Sequence, residues 1–202
     1  MLQVVDSLEP GGAERHVLDL SCELARRGNA VQVACSVGGA LAGELERAGI
    51  CWVPLMPALV KRRSCREYAA RLSLLSAGAY DVVHAHMHAS AVAAAAAELG
   101  SGSALVLTEH TEAPWRTAQQ RHAARQAFHR ADLVLAVSAR IAGLLRTGYG
   151  LPAGRVRLVP PAITPERVPA ASRPASWRDR PLIGRVCRLQ PEKGVDVFLR
   201  AA

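Results

Sequence analysis

Aromatic side chains are scarce in this sequence: they make up 4% of its 202 residues, whereas hydrophobic residues make up 50%. The core must therefore be built mainly from Val, Leu, Ile and Ala, the usual filling of parallel sheets covered by helices. Uncharged apolar runs of about 18 residues are also lacking, and so is the charged-then-apolar pattern of a secretory signal. We therefore expect no transmembrane helix and a cytoplasmic protein.

Cysteine is sparse and has no pattern. The five cysteines are widely spaced, odd in number and form no C-x-x-C pair. These features indicate neither a zinc site nor a disulfide framework, and they fit a reducing compartment. The dinucleotide fingerprint G-x-G-x-x-G is absent as well, which disfavours a nicotinamide-dependent enzyme.

Acidic residues are outnumbered: the chain has 17 of them against 25 basic residues, which gives a formal net charge of +8. The basic excess is concentrated in residues 61–71 and 110–146. Such segments favour anionic partners. Nucleic acid, phosphorylated substrates and anionic lipid headgroups all remain open at this point, and so does a plain solvated surface.

One hypothesis is that four arginines form part of a surface that meets an anionic acceptor or membrane: Arg116, Arg121, Arg125 and Arg130. It rests on Arg121 and Arg125 sharing one face of a predicted helix.

Short apolar runs alternate with segments of helical period along the chain. The predicted strands cover residues 2–5, 31–36, 51–55, 82–85, 105–107, 133–137 and 155–159. The predicted helices cover residues 13–27, 41–48, 66–77, 90–99, 115–130 and 140–146. A regular strand–helix succession implies right-handed crossovers and a mostly parallel sheet. The predicted fold class is therefore α/β, a Rossmann-like parallel sheet with helices on both faces.

The composition changes after the last of these strands. Residues 160–177 are rich in proline, serine and charge, which is typical of a linker. Beyond it, residues 182–186 predict a new strand and residues 195–202 a new helix, inside which the chain is expected to stop. The predicted division is a first domain at 1–160, a linker at 161–180 and the start of a truncated second domain at 181–202.

Candidate site residues follow the predicted strands, because ligands of open α/β sheets bind at the carboxyl ends of the strands. Gly11 and Gly12 lie between the first strand and helix, where the missing side chains would let a phosphate or sugar approach backbone N–H groups. His110 follows the fifth strand, where it could donate to or accept from a sugar hydroxyl or phosphate. A structural turn and a structural histidine are the alternatives.

Two further sets of residues carry possible chemistry. His84, His86 and His88 alternate, so a strand that continued through all three would point them to one side, as metal ligands are. No acidic or cysteine partner lies nearby, and a strand-end histidine more often bonds a neighbour, so no metal is expected. Arg188 and Lys193, between the next predicted strand and helix, could place two cations beside a diphosphate; a solvated turn is the alternative.

The motifs PGGAERH at 10–16, DVVHAH at 81–86, TEH at 108–110, AVS at 136–138 and RLQPEKG at 188–194 occur in this order. In this order and spacing the chain resembles glycosyltransferase family 4. The resemblance implies the N-terminal, acceptor-binding half of a GT-B fold, followed by the start of the donor-binding half. It also implies a hexosyltransferase-type enzyme that uses a nucleotide-sugar donor with retention of configuration and needs no metal or other cofactor.

The resemblance also implies roles for the residues singled out above. The Gly11–Gly12 turn would face the inter-domain cleft, His110 would contact the transferred sugar, and Arg188 with Lys193 would hold the departing diphosphate. The implied partners are a nucleotide-sugar donor, a sugar or lipid-linked acceptor and the inner face of an anionic membrane touched peripherally, with no nucleic acid.

This sequence departs from the family pattern at three places. Cys187 stands where glycine is common, PPAIT at 160–164 replaces the frequent PNGID, and the E-x7-E element would lie beyond residue 202. The isolated chain is therefore expected to be inactive. One alternative is a non-catalytic acceptor- or partner-binding module of a split transferase, and another is a nucleotide-sugar epimerase of the same architecture.

Overall fold

The computed structural model describes residues 1–77, 80–162, 181, 183–187, 189 and 191–201. The chain falls into two compact units, Met1–Pro161 and Ala162–Ala202. Most of the predicted linker at 161–180 lies outside the described residues, so that division stays a prediction.

The first unit is built on a seven-stranded sheet in which every neighbouring pair is parallel. Its strands are β1 (Leu2–Ser7), β2 (Gln32–Val37), β3 (Cys51–Pro54), β4 (Val82–His86), β5 (Ala104–Glu109), β6 (Leu133–Ala136) and β7 (Val156–Leu158). Their spatial order is β3-β2-β1-β4-β5-β6-β7. The predicted α/β class and Rossmann-like parallel sheet are confirmed.

Helices cover both faces of this sheet. They are α1 (Gly12–Arg26), α2 (Ala42–Arg47), α3 (Arg66–Ser76), α4 (His88–Ala96), α5 (Ala118–Arg130) and α6 (Ala139–Thr147). Side chains of α3 to α6 pack into the larger of two apolar clusters, and those of α1 and α2 into the smaller. Because successive strand residues point to opposite faces, Leu2 and Val4 of β1 join the larger cluster and Val5 the smaller.

Helix α1 shows how the sequence pattern produces an element. Val17 and Leu18 are buried against the sheet, and full burial of such a side chain contributes about 1.5–3 kcal/mol. On the exposed side, Glu23 pairs with Arg26 at 2.8 Å. Gly28 follows the helix with φ +87°, a conformation that costs glycine little, and this ends the helix as the sequence predicts.

Several element bounds differ from the predicted ones, and for two elements the physical reason is clear. Helix α5 begins at Ala118, not at residue 115, because Thr117 and Gln120 form a capping box: the Gln120 N–H donates to Thr117 Oγ1 and the Thr117 N–H donates to Gln120 Oε1. The described part of the strand predicted at 182–186 is not a strand: residues 183–187 are in no strand and pair with no other described strand. A strand is stable only with a hydrogen-bonded neighbour, which an apolar pattern does not guarantee.

The described part of the second unit holds a 3-10 turn, Pro191–Lys193, and helix α7, Val195–Ala201. No helix within the described ranges is long and apolar enough to cross a bilayer.

Candidate active site

The strand order places a site between β1 and β4. From β1 the chain proceeds outward through β2 and β3, then returns to β4 on the other side and proceeds through β5 to β7. The strand order therefore reverses at β1 and β4, and in open α/β sheets the crevice outside the carboxyl ends of such a pair is the usual ligand position.

Four histidines come together at this edge. His84 and His86 lie on β4, His110 follows β5, and His16 lies on α1. The ring centroids of His16 and His110 are 5.3 Å apart, and that of His86 lies 5.3 Å from His110 and 5.8 Å from His16. The structure thus joins three predicted residues with His16, for which the sequence motif PGGAERH was the only signal.

Hydrogen bonds fix the rings of this histidine cluster. His84 Nε2 lies 2.7 Å from Thr108 Oγ1, and His86 Nδ1 lies 3.1 Å from His110 Nε2. The other nitrogen of His86, Nε2, lies 2.9 Å from Oε1 of Gln3, which neighbours His84 in the pairing of β1 with β4. Gln3 is fully buried, and the sequence analysis missed it although it interrupts an apolar run.

Burial keeps the cluster uncharged at neutral pH. Desolvation is the main reason that the pKa of His84 is lowered to about 3 and that of His110 to about 4, and the neighbouring histidines add to it. The pKa of His86 is lowered well below its ordinary value, and that of His16 is lowered as well, both chiefly by burial. Neutral imidazoles can donate and accept hydrogen bonds, but they supply no fixed positive charge.

The Gly11–Gly12 turn lies one helical turn from this cluster. Gly11 is the N-cap of α1, and Gly12 and His16 share a helix face because they are four residues apart. A Cβ at Gly12 would meet nothing within 4 Å, whereas one at Gly11 would collide with the Glu14 carboxylate. The backbone is therefore open to a ligand at Gly12, while Glu14 covers it at Gly11.

A third glycine supports this turn. Gly39, between β2 and α2, packs so closely that a Cβ there would overlap backbone atoms of Leu8 and Glu9. The Leu41 N–H also donates to the Leu8 carbonyl oxygen at 2.9 Å. The close approach of these two loops fixes the segment that leads from β1 into the Gly11–Gly12 turn, and nothing in the sequence indicated it.

Asp6 ties the end of β1 to α4. Its Oδ1 accepts hydrogen bonds from the backbone N–H and the hydroxyl of Ser90, at 2.9 and 2.8 Å. Burial raises the pKa of Asp6 to about 6, against the lowering effect of the Ser90 bonds. The hydroxyl groups of Ser90 and Tyr68 lie 3.2 Å apart, and Tyr68 also donates to the Val5 carbonyl oxygen at 3.3 Å.

His88, the third of the histidines at alternate positions, lies outside the cluster. Strand β4 ends at His86, Met87 has φ +68°, and His88 begins α4. His88 packs edge-on against Trp115, with the ring centroids 5.5 Å apart. The condition for a shared side, a strand that continues through all three histidines, is therefore not met, because the chain turns at Met87. Among the described residues, no group of three or more His, Cys, Asp or Glu side chains could hold a metal ion.

A buried ion pair anchors the loop that carries His110. Glu109 accepts from Arg116 at 2.6 Å with both side chains at least 96% buried, and Arg116 also donates to the Tyr149 hydroxyl at 3.0 Å. Burial raises the pKa of Glu109, although Arg116 and the backbone N–H groups of Thr111 and His110 lower it. The carboxylate thereby holds the backbone of His110 in place. Arg116 is thus a core residue, and its predicted place on a basic surface is wrong.

Two of the other arginines line a cavity. It has a volume of about 400 Å3 and lies between α5 and α6. Its wall includes Arg121 and Arg125, which confirms that they share a helix face, together with His122 and Tyr149. Neither arginine pairs with a carboxylate among the described residues.

The predicted diphosphate ligands belong to the second unit. Lys193 ends the 3-10 turn that precedes α7. Arg188 lies outside the described residues, so its pairing with Lys193 stays a prediction.

Solved structures share this architecture. HepE from Anabaena, in complex with UDP-glucose, matches with a TM-score of 0.64 and 22% identity over 80% of this chain and 44% of its own. Its complex with UDP matches with a TM-score of 0.63 and 20% identity over the same shares. A glycosyltransferase from Rickettsia africae matches with a TM-score of 0.59 and 17% identity over 82% of this chain and 46% of its own. The chain therefore spans less than half the length of these structures.

The sequence comparisons give the family. No curated protein matches the chain significantly. Residues 10–167, which include the Gly11–Gly12 turn and the histidine cluster, match the sequence profile described as "Glycosyltransferase Family 4". The chain belongs to glycosyltransferase family 4.

Proposed function

We propose that this chain forms the acceptor-side half of an enzyme that transfers a hexose from a nucleotide sugar to an acceptor, with retention of configuration and without a metal ion. The observation that carries the proposal is the neutral histidine cluster at the strand-order reversal, with His110 at its outer end. A neutral imidazole fits a sugar hydroxyl as a hydrogen-bond partner, and a Cβ at Gly12 would meet no protein atom within 4 Å, which leaves room for a ligand at that turn.

The donor is proposed to be a uridine diphosphate sugar. Support comes from the Anabaena structures, which hold UDP and UDP-glucose. In the transfer, the bond from the sugar C1 to the diphosphate oxygen breaks, a bond from C1 to an acceptor hydroxyl oxygen forms, and the proton of that hydroxyl passes to the leaving diphosphate. Arg188 and Lys193 would neutralise the charge that develops on the leaving diphosphate, which is the main catalytic contribution in this proposal.

We also propose that the acceptor carries an anionic group and lies at the inner face of the membrane. The enzyme would then be a cytoplasmic protein that touches this membrane peripherally. The support is the cavity lined by Arg121 and Arg125, whose guanidinium groups have no acidic partner among the described residues; Glu112, which also lines this cavity, pairs with Arg140 at 2.6 Å. Binding to vesicles that contain anionic lipid should weaken steeply with salt, since exposed charges are screened. The double variant Arg121→Gln/Arg125→Gln should lose this binding, whereas Arg47→Gln, a change to an exposed arginine elsewhere, should keep it. Equal binding to neutral vesicles would remove the membrane from the proposal.

The donor site is tested with glycine variants. In protein that carries both halves, a thermal-shift screen of nucleotide sugars identifies the donor. Gly12→Ala should then weaken donor binding without harming the fold, because a Cβ there meets no protein atom but would meet a ligand at the backbone. Gly43→Ala is the matched control, because a Cβ at Gly43 would also meet no atom within 4 Å. Unchanged donor binding in the Gly12 variant would remove the turn from the site.

Product analysis separates the alternatives. Acceptor-dependent release of nucleoside diphosphate, with the anomeric configuration of the donor kept in the product, is the expected result. Donor binding without turnover in protein that carries both halves would favour the non-catalytic module. A changed sugar without any acceptor would favour the epimerase.

A further inference from the structure

Gln3 is an unusual residue for the centre of a parallel sheet. It lies on β1 with no exposed surface, and its amide nitrogen has no hydrogen-bond partner among the described residues. Leaving a buried donor unpaired destabilises the fold. An apolar side chain of similar size would avoid this cost, so stability does not account for a glutamine at this position.

The contacts of Gln3 connect it to His110 through one intervening ring. Gln3 Oε1 lies 2.9 Å from His86 Nε2, and His86 Nδ1 lies 3.1 Å from His110 Nε2. A carbonyl oxygen can only accept, so the proton of the neutral His86 ring is on Nε2 and its Nδ1 has a lone pair. His110 must then donate from Nε2, which leaves the lone pair of His110 on Nδ1.

We propose that Gln3 is a positioning residue that sets the tautomer of His110 through His86. It holds His110 with the proton on Nε2, so that Nδ1 is available as a hydrogen-bond acceptor for a hydroxyl group of the transferred sugar. This role rests on the proposed function, in which His110 contacts that sugar.

No competing partner determines the tautomer. His84 is engaged with Thr108 at 2.7 Å, and His16 meets His110 edge-on as a ring contact, at 5.3 Å between centroids. Within the described part of the chain, Gln3 and His110 are the hydrogen-bond partners of the His86 ring. The low pKa values of His86 and His110 keep both rings neutral at pH 7, and only a neutral ring has a tautomer to set.

The experiment measures the tautomer directly. In the wild-type chain labelled with 15N-histidine, His110 Nδ1 should show the chemical shift of an unprotonated imidazole nitrogen. Gln3→Met, which keeps an unbranched side chain of similar length, and Gln3→Leu should both lose the acceptor. In these variants the two His110 nitrogens should move toward averaged shifts, while the melting temperature stays the same or rises. Unchanged His110 shifts in both variants would overturn the proposal.

A matched control lies on the neighbouring strand. Gln32 of β2 is partly buried, accepts a hydrogen bond from the Tyr80 hydroxyl, and within the described ranges forms no hydrogen bond with the histidine cluster. Gln32→Leu should leave the shifts of His110 as in the wild type. A change of His110 shifts in this control equal to that in the Gln3 variants would show that loss of any side-chain amide from the sheet perturbs the cluster, and would also overturn the proposal.

The kinetic consequence is measured in protein that carries both halves. Gln3→Met should lower kcat roughly tenfold, since that corresponds to the loss of about one hydrogen bond to the reacting sugar. If His110→Ala keeps full turnover while Gln3→Met still alters the His110 shifts, the proposed function fails and the tautomer assignment stands. If the shifts do not change, the assignment fails whatever the turnover shows.

Discussion

His86 and His110 are hydrogen-bonded ring to ring, with His86 Nδ1 3.1 Å from His110 Nε2, across the boundary between β4 and β5. The two residues are 24 positions apart in the chain, and the pairing of His86 with Thr108 in adjacent parallel strands brings them together. One ring is fully buried and the other is half-buried, so the bond connects the protein interior to the surface on which we place the sugar.

His110 should matter for turnover and not for folding. In protein that carries both halves, His110→Ala should lower the rate roughly 10²-fold or more, the usual scale for a positioned polar group, with the melting temperature unchanged within a few degrees. His129→Ala is the control, because His129 is exposed and bonds the Tyr149 carbonyl oxygen. Wild-type turnover of the His110 variant would exclude a role in transfer.

The protein should lose stability as the pH falls below about 6.5. The pKa values of His84 and His110 are about 3 and about 4 in the fold, below the ordinary value of 6.5. The unfolded chain therefore binds protons first, and the stability present above pH 6.5 is lost as the pH falls toward 4. For His110 alone this amounts to about 3 kcal/mol. Urea unfolding of the wild type and His110→Gln between pH 6.5 and 4 measures this loss. If the free energy of unfolding changes with pH equally in the two proteins, the lowered pKa of His110 is contradicted.

Asp6 should change the stability of the protein with pH in the opposite direction to the histidines. Its pKa is raised from 3.8 to about 6, so its contribution to stability is present below pH 3.8 and is lost as the pH rises through 6. Asp6→Asn keeps the oxygen that accepts from Ser90 and removes the buried charge. At pH 7 this variant should be more stable than the wild type by about 1–3 kcal/mol, with no difference near pH 4. Asp81→Asn, at an exposed position, is the control, and a destabilised Asp6 variant at pH 7 would contradict the prediction.

Met87 should be strained. Its φ of +68° and ψ of 170° lie in a region that is nearly restricted to glycine. Met87→Gly and Met87→Ala both lose the same side-chain packing, but only glycine relieves the strain. The glycine variant should therefore be more stable than the alanine variant by about 1 kcal/mol or more, the reverse of the usual order. Chemical unfolding of the glycine and alanine variants measures this difference in stability. An alanine variant of equal or greater stability would show that the backbone at Met87 is not strained.

Gly39 should be required for the fold of the site loop. Gly39→Ala places a Cβ onto the backbone of Leu8 and Glu9, and the forced shift should cost about 1–3 kcal/mol. Gly43→Ala in α2 meets no atom within 4 Å and should instead stabilise the protein by about 0.5–1 kcal/mol through helix propensity. Equal stability of the two variants would refute the close approach of the loops.

Local patterns in the sequence determine the alternation of strands and helices, because burying one face of a helix or strand requires apolar residues at fixed spacing. They also place Gly11, Gly12 and His110 at strand ends, which are the ligand-binding positions of a parallel sheet. The prediction was wrong at the start of α5, where a capping box at Thr117 fixes the helix boundary. Local patterns left open whether His88 continues the strand of His84 and His86, and a single residue with positive φ, Met87, ends β4 before it.

Only the tertiary structure decides which distant side chains meet. The burial of Arg116 against Glu109 reverses the role expected from charge, since the carboxylate beside it offsets part of the cost of removing the guanidinium group from water. Gln3 and His86 are 83 residues apart and meet only because β1 pairs with β4, an order that no local pattern specifies. Periodicity along one segment determines an element, but it contains no information about which element becomes its neighbour; that choice is made by the packing of the whole sheet.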